Sequence, residues 1–401
     1  MAPRLMHIVA IDPYLRDWLG LLIRSLHVIA AIGWIGGSFY FVHLDQSLRF
    51  PKDVADREAG VGGELWEVHG GGFYHVQKYR IAPHELPDHL AWFKWEAYAT
   101  WLSGFALLVL LYWLDARAYL IDKTVADIGP WTAVGISAGL LVLAWLVYDV
   151  LCRALKGREA LLGVAIFAGT ALAAWGNEQL FSPRAAWLQT GAMLGTVMAA
   201  SVLINIIPAH WELIRAKEAG REPDPAPGVE AKRRSVHNNY LTLPVLATML
   251  AGHFSFLTGR QHAWLILLVL MIVGAWVRHF YNLRHAGRTH WWMLVAAAAA
   301  ITVLAVVLIP SGGPPSAPAT PAQVAAGRAV FASSACVTCH TLADAGATGT
   351  VGPNLDQAKP VASLVIDRVT NGQGGMPSFK GKLSTAEIAA VAAYVSTVAG
   401  R

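Results

Sequence analysis

The sequence predicts an all-α protein: a polytopic membrane helix bundle of about eight transmembrane helices, followed by a small soluble helical domain. Three observations carry this. Of the 401 residues, 55% are hydrophobic and only 14% charged, and the mean hydropathy is +0.45, outside the range of an ordinary soluble domain. The composition changes near residue 311, where apolar runs give way to the Pro/Ala/Gly/Ser stretch SGGPPSAPATP. Two of the three cysteines fall in CVTCH, a spacing that points to a prosthetic group and not to a disulfide framework. The chain therefore divides into a membrane domain (1–310), a linker (311–321) and a soluble domain (322–401).

Crossing an apolar core of about 30 Å takes roughly 20 helical residues. Runs of that kind fall at 17–42, 95–114, 131–150, 160–177, 185–208, 241–257, 262–281 and 290–310. The fourth and sixth are short, as expected of tilted or broken helices. Loops after the odd-numbered spans hold 17 Lys and Arg, whereas the N-terminus and the loops after spans two, four and six hold 6. Basic residues favour the cytoplasm, so both termini are expected outside, with the soluble domain in the periplasm of a bacterial inner membrane. No cleavable signal peptide is expected, because the first apolar run is long enough to span and no small-residue cleavage site follows it. The basic residues report orientation in lipid, and nothing supports nucleic-acid binding. At about 3.1 Å per residue in polyproline form, the linker reaches roughly 30 Å, enough for a tethered domain to dock and undock.

Cys336, Cys339 and His340 form Cys-x-x-Cys-His, the pattern by which two thiols attach a haem and the next residue supplies an axial imidazole. The residues around it resemble a class I cytochrome c: a first helix AAGRAVFASSACVTCH, a segment VGPNL, a loop NGQGGMPSF and a closing helix STAEIAAVAAYVSTV. The resemblance implies one covalent haem c, with Met376 as the sixth ligand beside His340, and attachment outside the cytoplasm. Histidine/methionine ligation raises the reduction potential, which suits a carrier that hands electrons on. Phe331 and Tyr394 fall where the first and last helices of such a domain cross, and core packing is expected for both.

Ionisable residues inside spans are costly and are functional candidates by default. Arg24 and His27 share a face of the first span, and His253 in the sixth falls near the same outer depth. Two imidazoles so placed would ligate a b-type haem; the alternative is that each hydrogen-bonds across helices. The stretch between the first two spans, GELWEVHGGGFYHVQKY and onward to Glu96, reads as a hydrophilic loop dense in histidine and tryptophan. Glu64, Glu67, His69, His75 and Lys78 offer acid, base and cation in one window, and GGG permits close backbone approach to a ligand.

The segments HVIAAIGWIGGSFYFVHLD and ELWEVHGGGFYHVQKY, with a cytochrome domain following, resemble the membrane-bound urate oxidase family. That resemblance implies oxidation of urate to 5-hydroxyisourate, with water as the oxygen source and two electrons leaving through the cytochrome toward a terminal oxidase or soluble cytochrome. Lys78 or Arg80 would then hold the urate anion and His69 or His75 accept protons. Two rivals stand beside this reading: an electron-transfer subunit passing quinol electrons through haem to the cytochrome, and a purine transporter or sensor with a redox readout.

Overall fold

The computed structural model describes residues 12–123, 125–251, 254–260, 262–309, 319–372 and 376–400. The chain forms two compact units, one of residues up to Met249 with Trp264–Thr302, the other of Leu250–Ala263 with Val303–Arg401.

In the first unit, six helices of the described residues are long and apolar enough to cross a membrane. They are α1 (Pro13–Ser47), α2 (Trp95–Trp113), α3 (Pro130–Ala154), α4 (Glu159–Glu178), α5 (Pro183–Glu218) and α7 (Ala263–His285). The sixth and eighth expected spans correspond to α6 (Pro225–Ala251) and α8 (Trp292–Val307). The first half of α6 is charged, and the 16 residues of α8 reach about 24 Å, so neither meets the same criterion. Helix α1 starts where the Asp12 side chain accepts from the Leu15 amide and Pro13 takes the first helical position.

Buried polar side chains tie the helices together where no hydrophobic force distinguishes protein from lipid. Ser137 on α3 donates to Gln189 Oε1 on α5 at 2.7 Å, and Gln189 Nε2 returns a bond to the Ser137 carbonyl at 2.9 Å. Asn177 on α4 donates to Thr190 on α5 at 3.0 Å. At the charged end of α6, Arg234 is 1% exposed and reaches Asp149 on α3 at 2.8 Å and Glu230 at 2.9 Å. Pro244 lies inside α6, where it removes one backbone donor, and Gly274 on α7 lies against it: a Cβ on Gly274 would sit 3.3 Å from the Leu243 carbonyl carbon. The missing side chain lets the two helices approach at the proline.

The expected loop is a β-hairpin, which corrects the all-α expectation for this unit. Strands β1 (Val61–His69) and β2 (Gly72–Tyr79) pair antiparallel, with Trp66 opposite His75 and Glu64 opposite Gln77. Gly70 and Gly71 both have positive φ, +57° and +81°, as a two-residue hairpin turn of the right-twisting kind requires. ELWEVH and FYHVQKY, read as polar loop, carry the aromatic and β-branched residues Trp66, Val68, Phe73, Tyr74 and Val76 that favour strands.

In the second unit, α9 (Pro321–Ser333) crosses α11 (Thr385–Val398), with α10 (Ala362–Asn371) against the latter. Both crossing helices open with capping boxes, Thr320 with Gln323 and Ser384 with Glu387. Gly327 lies against the Ala390 backbone, and Phe331 meets Tyr394 edge-on at 5.8 Å, as expected. Tyr394 donates to Asp344 at 2.6 Å.

Asp356 accepts from the Gly400 amide at 3.0 Å and the Ala343 amide at 2.7 Å, and these two bonds hold its carboxyl below the usual range. A depressed carboxyl stabilises the fold above its unfolded pKa and loses that contribution as pH falls through its folded one. Asp356→Asn is therefore expected to lower the unfolding midpoint of the cytochrome part at neutral pH. The gap to the parent should close in acid, followed by haem absorbance; a gap independent of pH would contradict this.

Candidate functional site

The haem motif is built on a short turn. Residues Cys336–Thr338 form one 3-10 turn, entered through Ala335 at φ +59°, and the His340 amide closes onto the Cys336 carbonyl at 3.0 Å. This places both thiols and the imidazole on one loop. His340 is 9% exposed, and its Nδ1 donates to the Pro353 carbonyl at 2.9 Å, which leaves the Nε2 lone pair for a metal. Gly352 is flush with the ring: a Cβ there would sit 2.5 Å from Cε1. Met376 is half-buried against the core of the same unit. Two free thiols, an oriented imidazole and a thioether in one small domain fit a covalent haem c.

The four hairpin candidates do not converge. Glu64, Trp66 and His75 share one face of the ribbon: His75 stacks on Trp66 at 4.2 Å and 7°, and its Nε2 lies 3.0 Å from Glu64. The Lys52 amide, and then His75, hold Glu64 below the usual carboxylate range. His69 closes the turn opposite Gly72, and Lys78 pairs with Gly63 at the far end, both on the other face. Lys78 is ion-paired with Asp45 of α1, which also binds Lys232 at 3.1 Å. That face rests on α1, where Glu67 accepts from Tyr40 at 2.6 Å and lies 3.2 Å from His43. His43 in turn meets His285 at the end of α7, Nδ1 to Nδ1, at 3.0 Å.

His27 hydrogen-bonds across helices. Its Nδ1 lies 3.0 Å from the Thr100 carbonyl and 3.1 Å from the Ser103 hydroxyl of α2, over Gly104, where a Cβ would come within 2.9 Å of the ring. His253 lies outside the described residues.

The profile of the urate oxidase N-terminal family matches residues 13–309. The chain belongs to that family. A second family, described as cytochrome c oxidase, cbb3-type, subunit III, matches residues 322–395. This part is 43% identical over 94 residues to cytochrome c6 of Picosynechococcus sp., covering 20% of this chain and 76% of that protein. Cytochrome c6 of Leptolyngbya boryana is 40% identical over 78 residues, 18% of this chain and 91% of that protein. Among solved structures, the c-type cytochrome SorU of Sinorhizobium meliloti is 52% identical over 20% of this chain and 97% of its own, with a TM-score of 0.20. The protein is thus a urate oxidase family member with a cytochrome c domain at its C-terminus, and that domain implies covalently bound haem c.

One polar cluster in the urate oxidase domain was not anticipated. Arg278 and Asn282 on α7 meet Asn239 on α6: Arg278 Nε donates to Asn239 Oδ1 at 2.9 Å, and Asn282 Nδ2 to the same oxygen at 3.1 Å. Beside them Tyr240 and His279 share a hydrogen bond of 2.6 Å. The signal was present in AWVRHFYN, an arginine inside an apolar run, which the intramembrane rule applied to Arg24 would also have flagged.

Proposed function

We propose that this protein oxidises urate to 5-hydroxyisourate and passes the electrons through its own haem to a respiratory terminal oxidase or soluble cytochrome. The observation that carries the reading is the union, in one chain, of a urate oxidase N-terminal domain with a cytochrome c domain. The chemistry balances without oxygen as reactant: uric acid and water give 5-hydroxyisourate, two protons and two electrons, with a C–O bond formed at the oxidised carbon. Haem c held by Cys336, Cys339, His340 and Met376 would accept electrons singly. Around it, this chain's residues orient the imidazole through Pro353 and pack the methionine against the domain core.

The loop charges support a cytochrome domain on the outer, periplasmic face. In this reading the protons released go to bases on the opposite side: His75 with its Glu64 partner, and His69 at the hairpin tip. Lys78 is already ion-paired with Asp45, which it shares with Lys232, so a further counter-charge for the substrate is sought elsewhere. A b-type haem between His27 and His253 would serve as the membrane relay. A haemochrome spectrum with c-type haem alone removes that relay.

The deciding experiment is anaerobic addition of urate to the purified protein, followed at the c-type absorption band with product analysis. Urate alone should reduce the haem and yield 5-hydroxyisourate. Reduction by a quinol but not by urate would overturn the reading in favour of an electron-transfer subunit. Alanine at His69 and at His75 with unchanged urate-dependent reduction would remove those two bases.

A further inference from the structure

Within the membrane unit, α1, α6 and α7 enclose a half-open cavity of about 150 Å³. Gln46, Asn239, Tyr240, His279 and Asn282 are its polar lining, with Val42 and Leu283 among the apolar residues. A cavity of this size holds one aromatic ring, so a fused bicycle would seat one ring inside and the other at the mouth.

Two polar groups are unfinished, one on the lining residue Asn282 and one on Arg278, which bonds to the lining residue Asn239. Arg278 is 3% exposed, stacked over the Phe39 ring at 3.9 Å and bonded through Nε to Asn239, yet its Nη2 has no partner. No carboxylate pairs with it among the described residues, so a cation sits buried without an anion, an arrangement that is unfavourable when left uncompensated. Asn282 spends its Nδ2 on Asn239, and its buried Oδ1 also lacks a partner. One vacant donor carrying charge and one vacant acceptor thus lie within a single hydrogen-bonded trio. Their complement is a planar anion that presents a carbonyl or enolate oxygen beside a ring N–H.

We propose that this cavity is the purine site, with Arg278 as anion anchor and Asn282 accepting from a ring N–H. The identity of the ligand as urate rests on the reading above; the location and chemistry of the site rest on the cluster itself. The hairpin, by contrast, has its lysine already ion-paired and its candidate residues on two faces. The Tyr240–His279 couple places an imidazole in the wall, within the same cavity as the proposed ligand.

The test uses full-length protein in detergent with anaerobic urate, following reduction of the c band, and equilibrium dialysis with radiolabelled urate. Arg278→Gln and Asn282→Leu are each expected to raise KM and Kd by about tenfold or more, as loss of a buried hydrogen bond to a ligand does. Dithionite-reduced haem spectra should match the parent. Val42→Trp, which adds bulk at the α1 wall of the cavity and leaves the polar trio unsubstituted, should abolish binding and keeps the test open if Arg278→Gln does not fold. Parent-like KM and Kd in Asn282→Leu and Val42→Trp would overturn the site while leaving the urate reading intact. A parent protein that neither binds urate nor is reduced by it would overturn the urate reading, and with it the assignment of a purine to this cavity.

Discussion

A methyl group on Gly352 is expected to strip the protein of most of its covalent haem. Gly352 has no side chain because the His340 ring occupies that space: the added Cβ would fall 2.5 Å from Cε1 and 2.7 Å from Nδ1. Either the ring or the VGPNL segment must move, and overpacking of this kind costs about 1–3 kcal/mol. The displacement also breaks the bond from Nδ1 to the Pro353 carbonyl, about 1 kcal/mol more, and with it the orientation of Nε2. Haem staining and a haemochrome assay of Gly352→Ala check this against Gly139→Ala, where the new Cβ meets nothing within 4 Å. Equal haem content in the two variants would show that the ring is not held where it lies.

Arg234→Met is the corresponding prediction for the membrane unit. Arg234 joins Asp149 of α3 to Glu230 of its own helix and lies 5.0 Å from the Tyr148 ring centre. Burial alone would raise the Glu230 carboxyl; the hydrogen bonds and charges of Arg233 and Arg234 reverse that and hold it below its usual range. Removing one guanidinium leaves two partly buried carboxylates short of a partner, and breaking such a pair costs about 3–5 kcal/mol. Arg153 still binds Asp149 and Arg233 still binds Glu230, so the expected loss is nearer the lower end, about 3 kcal/mol. The thermal midpoint in detergent should fall by several degrees. Replacing Asp149 by Leu and Glu230 by Gln as well should recover much of it, since no buried charge then lacks a partner. A triple variant less stable than Arg234→Met would show that the network acts in some other way.

The haem site was legible because its signals are local. Five consecutive residues, CVTCH, carry the attachment chemistry, and TPAQ and STAE announce the two crossing helices by their caps. The membrane unit was less legible for two physical reasons. Glycines and histidines drew the hairpin toward a loop assignment, although its aromatic and β-branched residues favour strands and the paired glycines specify its turn. The Arg278 cluster depends on Phe39, Asn239 and Arg278, residues far apart along the chain, and no single window contains the contact that leaves Nη2 and Oδ1 vacant. The charged half of α6 hid a helix for the opposite reason: it is stabilised by ion pairs to α3, a partner that hydropathy does not see.

Helix α1 also works as a phase setting. Its 35 residues extend about 52 Å, beyond the roughly 30 Å of a bilayer core, and its last turns carry Tyr40, His43 and Asp45, which grip the hairpin through Glu67 and Lys78. One residue added upstream would turn these three contacts by about 100° relative to the lipid-facing half and release them together. Seven added residues would return them to within about 20° of their bearing, one heptad farther along the axis. Chain length in α1 therefore sets the angle at which the hairpin is presented as well as its distance from the membrane.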